Sequence, residues 1–227
     1  DDSLGLTSGT TTGERVTSDT GPSDMGSPCM ADGRPVFTIE DAFLVHGPAC
    51  MGGCDGLNFG STPEYDLYDL GSDAAAVLLL RFDSLEPAAD DYILHVRSTV
   101  AVNALSEGDT LEVLGLRSTC AWTEGFVDGG SPSRGDVTWN HCAFPLTWPG
   151  GDITGAELVS VGTADLWEQH SLDPLLTEFV VELDPDALEP FIAEGGNTLL
   201  LRSSSTTGAE FSAREGEGPA WIIPSCD

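Results

Sequence analysis

From Val36 onward, the chain alternates between short runs of leucine, aromatic and β-branched residues and breaks of glycine, proline, serine and aspartate. The runs are Val36–Ile39, Ala42–Val45, Val77–Asp83, Tyr92–Arg97, Thr110–Leu116, Val137–Asn140, Glu157–Val161, Phe179–Leu183, Thr198–Ser203 and Trp221–Pro224. Phe179, Val181 and Leu183 alternate with Val180, Glu182 and Asp184, the period of two that marks a half-buried strand. Ten or so strands with almost no helical period predict an all-β, two-sheet sandwich. A Gly/Pro/Cys loop follows Val45 as far as Phe59, and a Gly/Ser/Asp loop spans 124–136. One short helical turn is expected after Asp184. That residue can cap it, Pro185 suits the first helical position, Leu188, Phe191 and Ile192 share a face, Pro190 keeps it short, and Gly195-Gly196 stops it.

Residues 1–35 differ in kind. The first 28 or so are Ser, Thr, Gly and Asp with few large apolar groups, a composition that buries too little surface to offset chain entropy. It fits a flexible tail or linker ahead of a single domain over 36–227. Leu4, Leu6 and Val16 fall at even spacings among β-tolerant threonines, so the same tail could donate a strand to a neighbouring subunit.

Six motifs are spaced along the rest of the chain: Leu79-Leu80-Arg81-Phe82-Asp83, Trp122-Thr123-Glu124, Val137-Thr138-Trp139-Asn140, Glu178-Phe179-Val180-Val181, Leu199-Leu200-Leu201-Arg202-Ser203 and Phe211-Ser212-Ala213-Arg214-Glu215. With Asn58-Phe59-Gly60-Ser61 upstream, their order and spacing resemble the DNRLRE domain over roughly residues 38–224. That resemblance implies an extracellular β-jelly-roll module of the kind carried by bacterial and archaeal surface proteins and found beside polysaccharide-degrading enzymes, mostly without catalysis. Arg81, Arg202 and Arg214 stand at the family's arginine positions. A carboxylate such as Asp83 or Glu215 could hold such an arginine at a sheet face and lock strand order; alternatively, the three could contact a sugar. Some relatives bind alginate through basic residues. Trp122 and Trp139 match positions that look like core, whereas Trp148 and Trp167, in less regular sequence, are candidates for stacking on pyranose rings.

Charge narrows the partners. The 227 residues carry 38 acidic and eight basic side chains, all of the latter arginine, for a formal net charge of −30 at pH 7. Such a field opposes nucleic acid, anionic membranes and acidic glycans including alginate, which leaves neutral polysaccharide, other surface proteins or further copies of the chain. The acidity fits a solvated surface, as in a salty habitat. It also offers oxygen ligands to calcium, with Asp66, Asp69 and Asp73 as first candidates and Asp90-Asp91 as a further pair, although neither follows the EF-hand loop.

Six cysteines without CxxC pairs point to disulfides and an oxidising compartment, secreted or at the cell surface. Of the 15 connectivities that six thiols allow, the expected one is Cys50–Cys54, Cys120–Cys142 and Cys29–Cys226. A zinc site is the competitor, with His141 beside Cys142. The longest apolar stretch, Ala74–Leu80, is too short to span a bilayer, so no transmembrane segment is expected, and any membrane attachment would come from a lipid-modified cysteine upstream of Asp1. His-Glu-x-x-His, Gly-x-Ser-x-Gly and a phosphate-cradling loop are all absent, and His46, His95, His141 and His170 are scattered. The expectation is a non-catalytic structural or adhesive component, such as a filament subunit joined by strand addition; the alternative is a carbohydrate-binding module.

Overall fold

The computed structural model describes residues 33–48, 50, 53–71, 74–87, 89–98, 105–118, 120–172, 178–214, 216 and 218–226. Most of the tail, including Leu4, Leu6 and Val16, lies outside them, as do Cys29, Asp73 and Glu215. The strands are β1 (Val36–His46), β2 (Glu64–Leu67), β3 (Ala75–Phe82), β4 (Asp91–Arg97), β5 (Thr110–Arg117), β6 (His141–Ala143), β7 (Leu146–Thr147), β8 (Glu157–Asp165), β9 (Glu178–Leu183), β10 (Thr198–Ser203), β11 (Ala209–Ser212) and β12 (Trp221–Ser225). The protein is all-β, as its periodicity predicts.

Eight of these strands form one closed, barrel-like antiparallel sheet in the order β1-β12-β4-β9-β8-β5-β10-β3. Two of its junctions are short. β1 meets β12 at Val36–Ile222 and Phe37–Trp221, and β8 meets β9 at Gly162–Leu183. Gly162 permits the second contact, because a Cβ there would stand 2.8 Å from the Leu183 side chain and 3.0 Å from the Glu182 carbonyl. Gly162–Leu183 is the one β8–β9 pair among the described residues, and α1 (Leu166–Leu172), which follows β8, reaches β9 through Gln169. The Gln169 side chain accepts from the Val180 N–H at 2.9 Å and donates to the Val180 carbonyl at 2.7 Å, so one amide takes the place of a missing strand.

The sheet has two unlike faces. Around β1, β3, β10 and β5, inward residues such as Phe43, Leu78, Leu80 and Leu201 enter the barrel core, while Ala42, Leu44, Val77, Leu79, Leu114 and Leu200 point outward into a second core. Residues 120–156 roof that second core with Trp122, Val137, Trp139, Trp148 and Ile153, and the Cys120–Cys142 disulfide ties the start of this segment to its middle. β4 and β9 bury one face and leave the other partly or fully open to solvent.

Local differences from the sequence-based expectation have clear causes. Val36–Ile39 and Ala42–Val45 form one strand, because a register shift between Thr38 and Glu40 absorbs the break in alternation. Val137–Asn140 is not a strand. Its residues bend into the roof, where the Thr138 carbonyl accepts from the His141 N–H at 3.2 Å and β6 begins one residue later. Among the described residues there are two α-helices, and a 3-10 turn at Ile153–Gly155, rather than one helical turn. α2 (Pro185–Ala193) is the expected one, capped by Asp184. α1 is additional, and its start is an Asp-x-x-Glu pattern in which Asp165 accepts from the Glu168 N–H at 2.7 Å.

Candidate functional site

The arginines at the resemblance positions are held within the chain. Arg81 pairs with Glu40 on the neighbouring strand, donates to the Trp122 carbonyl at 2.6 Å and lies over the Trp122 ring at 4.9 Å. Arg214 pairs with Glu124 and donates to the Ile39 carbonyl, while its backbone N–H donates to Asp41 at 2.8 Å. The other Glu124 oxygen accepts from the Asp41 N–H at 3.1 Å. Arg202 pairs with Glu112 across β10 and β5 at 3.0 Å. The carboxylates are thus Glu40, Glu124 and Glu112. Asp83 is exposed and lies just past the end of β3 at Phe82, whereas Glu40 sits in register with Arg81 across the ladder.

Three of the motifs, together with the Asn58 turn, meet at one junction. Asn58 is fully buried. Its amide donates to the Glu124 carbonyl at 2.6 Å and the Val137 carbonyl at 3.1 Å, and its oxygen accepts from the Gly60 N–H at 3.2 Å. Its backbone bonds to Gly129 and Gly130. Gly60 is required by packing, since a Cβ would fall 1.7 Å from the Glu124 carbonyl oxygen. Burial pushes the Glu40 carboxyl above the ordinary glutamate range, outweighing the opposing pull of Arg81 and Arg214. Glu40 and Asp41 were legible as adjacent carboxylates between the runs 36–39 and 42–45, and Glu124 as the last residue of its own motif.

The expected sugar-stacking tryptophans divide. Trp148 is 2% exposed, and its indole N–H donates to the Thr138 carbonyl at 3.0 Å, so it belongs to the roof core and offers no face to a ligand. Its irregular flanks are the roof's irregular backbone. Trp167 is partly exposed on α1, against His170. On the open sheet face, Phe37, Trp221 and His95 follow one another across β1, β12 and β4, with His95 stacked on Trp221 at 4.9 Å and 5°. Arg97 also lies over Trp221, at 5.5 Å. Phe37 lies tilted against Trp221 at 6.2 Å and 44°, and His95 contacts Glu178 at 2.6 Å. These rings hold the β1–β12 junction together.

Two of the expected residues do share a cavity. A space of about 480 Å³ opens between the β2–β3 turn and the roof. Its floor is the outer face of β3 and β10 at Val77 and Leu200, and its walls include Trp139 and Tyr68, with His46, Asp69, Asp152 and Arg202 supplying polar groups. His46 stacks on Trp139 at 5.2 Å, and its Nδ1 is 3.1 Å from Asp55. Each aspartate has one oxygen committed. Asp69 accepts from the Gly71 N–H at 2.7 Å, and Asp152 accepts from Thr154, at 2.9 Å from its N–H and 2.6 Å from its hydroxyl. Sequence reasoning reached Asp69 and Arg202 but missed His46, Tyr68 and Asp152, which share no local pattern.

Asp66 is exposed on β2. Among the described residues, no group of three or more His, Cys, Asp and Glu side chains is placed to hold a metal ion. Cys50–Cys54 and Cys120–Cys142 are bonded, and Cys226 is disulfide-bonded as well. Among the described residues, no helix is long and apolar enough to cross a membrane. No family model matches the chain, and no curated protein matches it.

Proposed function

We propose that the chain is a non-catalytic structural or adhesive module of an extracellular surface, of jelly-roll type and related to the DNRLRE domain. The observation that carries this is the junction at Asn58, where three of the resemblance motifs spend their polar groups on one another and bind the roof to the barrel. Residues that a catalytic site would leave poised are here committed to holding the fold. The jelly-roll assignment draws support from the two short junctions: parting the ring there leaves two antiparallel layers, β12-β4-β9 and β1-β3-β10-β5-β8. The disulfides fit an oxidising, secreted or surface location.

Assembly proceeds by strand addition, with the tail of one copy pairing at the β9 edge of the next, where the Gln169 amide now sits. The contact is heterologous, so it propagates into an open polymer. Deleting residues 1–28 tests this by size-exclusion chromatography and negative-stain microscopy. The full chain is expected to form filaments and the truncated chain to remain monomeric. Equal assembly of both, or a strictly monomeric full chain, overturns it. The cavity over Val77 and Leu200 favours a second reading, a carbohydrate-binding module.

A further inference from the structure

We infer that the cavity between the β2–β3 turn and the roof binds a neutral pyranose unit, with Asp69 and Asp152 accepting hydrogen bonds from its hydroxyls. This rests on the second reading above and assigns that module's site and ligand chemistry.

The cavity's chemistry selects the class. At about 480 Å³ it falls within the range of small-molecule sites, and it combines an apolar floor with a few convergent polar groups. Val77, Leu200 and Trp139 close its base, and the half-buried Tyr68, Ala75 and Leu158 supply the apolar surface that can meet the C–H face of a sugar ring. The two aspartates each keep an oxygen beyond those fixed by Gly71 and Thr154, and a carboxylate accepts strongly from a hydroxyl. An acidic ligand is opposed by those same carboxylates, and the Arg202 charge is answered by Glu112. A hard divalent cation would need six or more oxygen ligands, whereas two partly committed aspartates face this space. A purely apolar ligand would strip water from both carboxylates without replacing their hydrogen bonds.

The built-in turns make a clean test available. Asn can accept from the Gly71 and Thr154 N–H groups as Asp does, so Asp69→Asn and Asp152→Asn keep both turns while removing the charge. The full chain is screened by isothermal titration calorimetry against neutral gluco-, manno- and galacto-configured oligosaccharides, a uronic acid oligomer and a chitosan oligomer. Saturable binding of at least one neutral sugar is expected, weakened about 10-fold by each substitution and about 100-fold by both, the difference between charged and neutral acceptors. Melting temperature and filament formation should be unchanged in the variants. Binding that the variants do not alter leaves the carbohydrate reading standing and removes this site. Absence of binding to every neutral sugar at millimolar concentration removes both. Binding of chitosan alone overturns the ligand class, and loss of assembly in the variants makes the cavity a contact between copies instead.

Discussion

Asn58→Ala should be among the most damaging single substitutions in this chain, although it deletes no apolar surface. The side chain is fully buried and makes three hydrogen bonds, at 2.6, 3.1 and 3.2 Å, to the Glu124 carbonyl, the Val137 carbonyl and the Gly60 N–H. Truncation leaves those three backbone groups without their partner in a space closed to water. A net loss of about 1 kcal/mol per bond, with a further penalty for stranded groups, gives about 3–5 kcal/mol in total. At this chain length each kcal/mol moves the melting temperature by about 2–4 °C, so a drop of about 10 °C is expected. Differential scanning calorimetry and urea unfolding followed by near-ultraviolet circular dichroism measure it, with an unchanged urea m-value required. Gly60→Ala attacks the same contact from the other side, because its Cβ would stand 1.7 Å from the Glu124 carbonyl oxygen. The two changes should be strongly non-additive. A loss below about 1 kcal/mol for Asn58→Ala, or simple additivity with Gly60→Ala, would show that the junction relaxes freely and refute its role in joining roof to barrel.

Replacing Cys120 and Cys142 by Ser should cost roughly 3 kcal/mol, the loop-closure value for a 22-residue separation, and should speed amide exchange in the roof before the barrel; uniform exchange throughout would contradict a separable roof. Burial raises the carboxyl of Glu40, and burial followed by Glu64 and Asp66 raises that of Glu210. The stability these groups contribute is fully present below the ordinary glutamate pKa and is lost as pH rises through their raised folded values, so melting temperature should climb as pH is lowered through those raised values toward the ordinary glutamate pKa. Glu210→Gln should raise it at pH 7 and flatten that slope, and a lower melting temperature in this variant would count against the assignment. Gln169→Ala should leave global stability within about 2 kcal/mol, accelerate exchange of the Val180 amide and hasten filament growth if the β9 edge is the acceptor; unchanged exchange at Val180 would remove the proposed latch.

The two-faced sheet was written in the sequence more plainly than its closure. Ala75–Leu80 and Leu199–Leu201 are unbroken apolar runs, which strands need when both faces are covered, whereas Tyr92–Arg97 and Glu178–Leu183 alternate as half-buried strands do. The helix after Asp184 was legible because capping and stop signals are local. The same kind of signal marks α1 at Asp165 and Glu168, but there it follows directly on a strand without a break. The roof was harder, since the burial of Trp148 depends on strands that lie far from it in sequence. The arginine pairs illustrate the same limit. That Arg81 and Arg214 would find carboxylates follows from their setting, but the choice of Glu40 and Glu124 depends on register and loop path, which no short window contains.

The placement of β12 between β1 and β4 decides when this ring can exist. During synthesis β1 can pair with β3 as soon as both are made, and β9 can find β4, but β12 comes last and bonds to strands formed far earlier. Until then the edges of β1 and β4 stand open, the condition in which nascent β proteins pair with the wrong neighbour. Closure therefore waits until β12 has been made. Loss of the few residues from Trp221 to Ser225 would leave an open sheet with two adhesive borders, a far larger change than trimming as many residues from any loop.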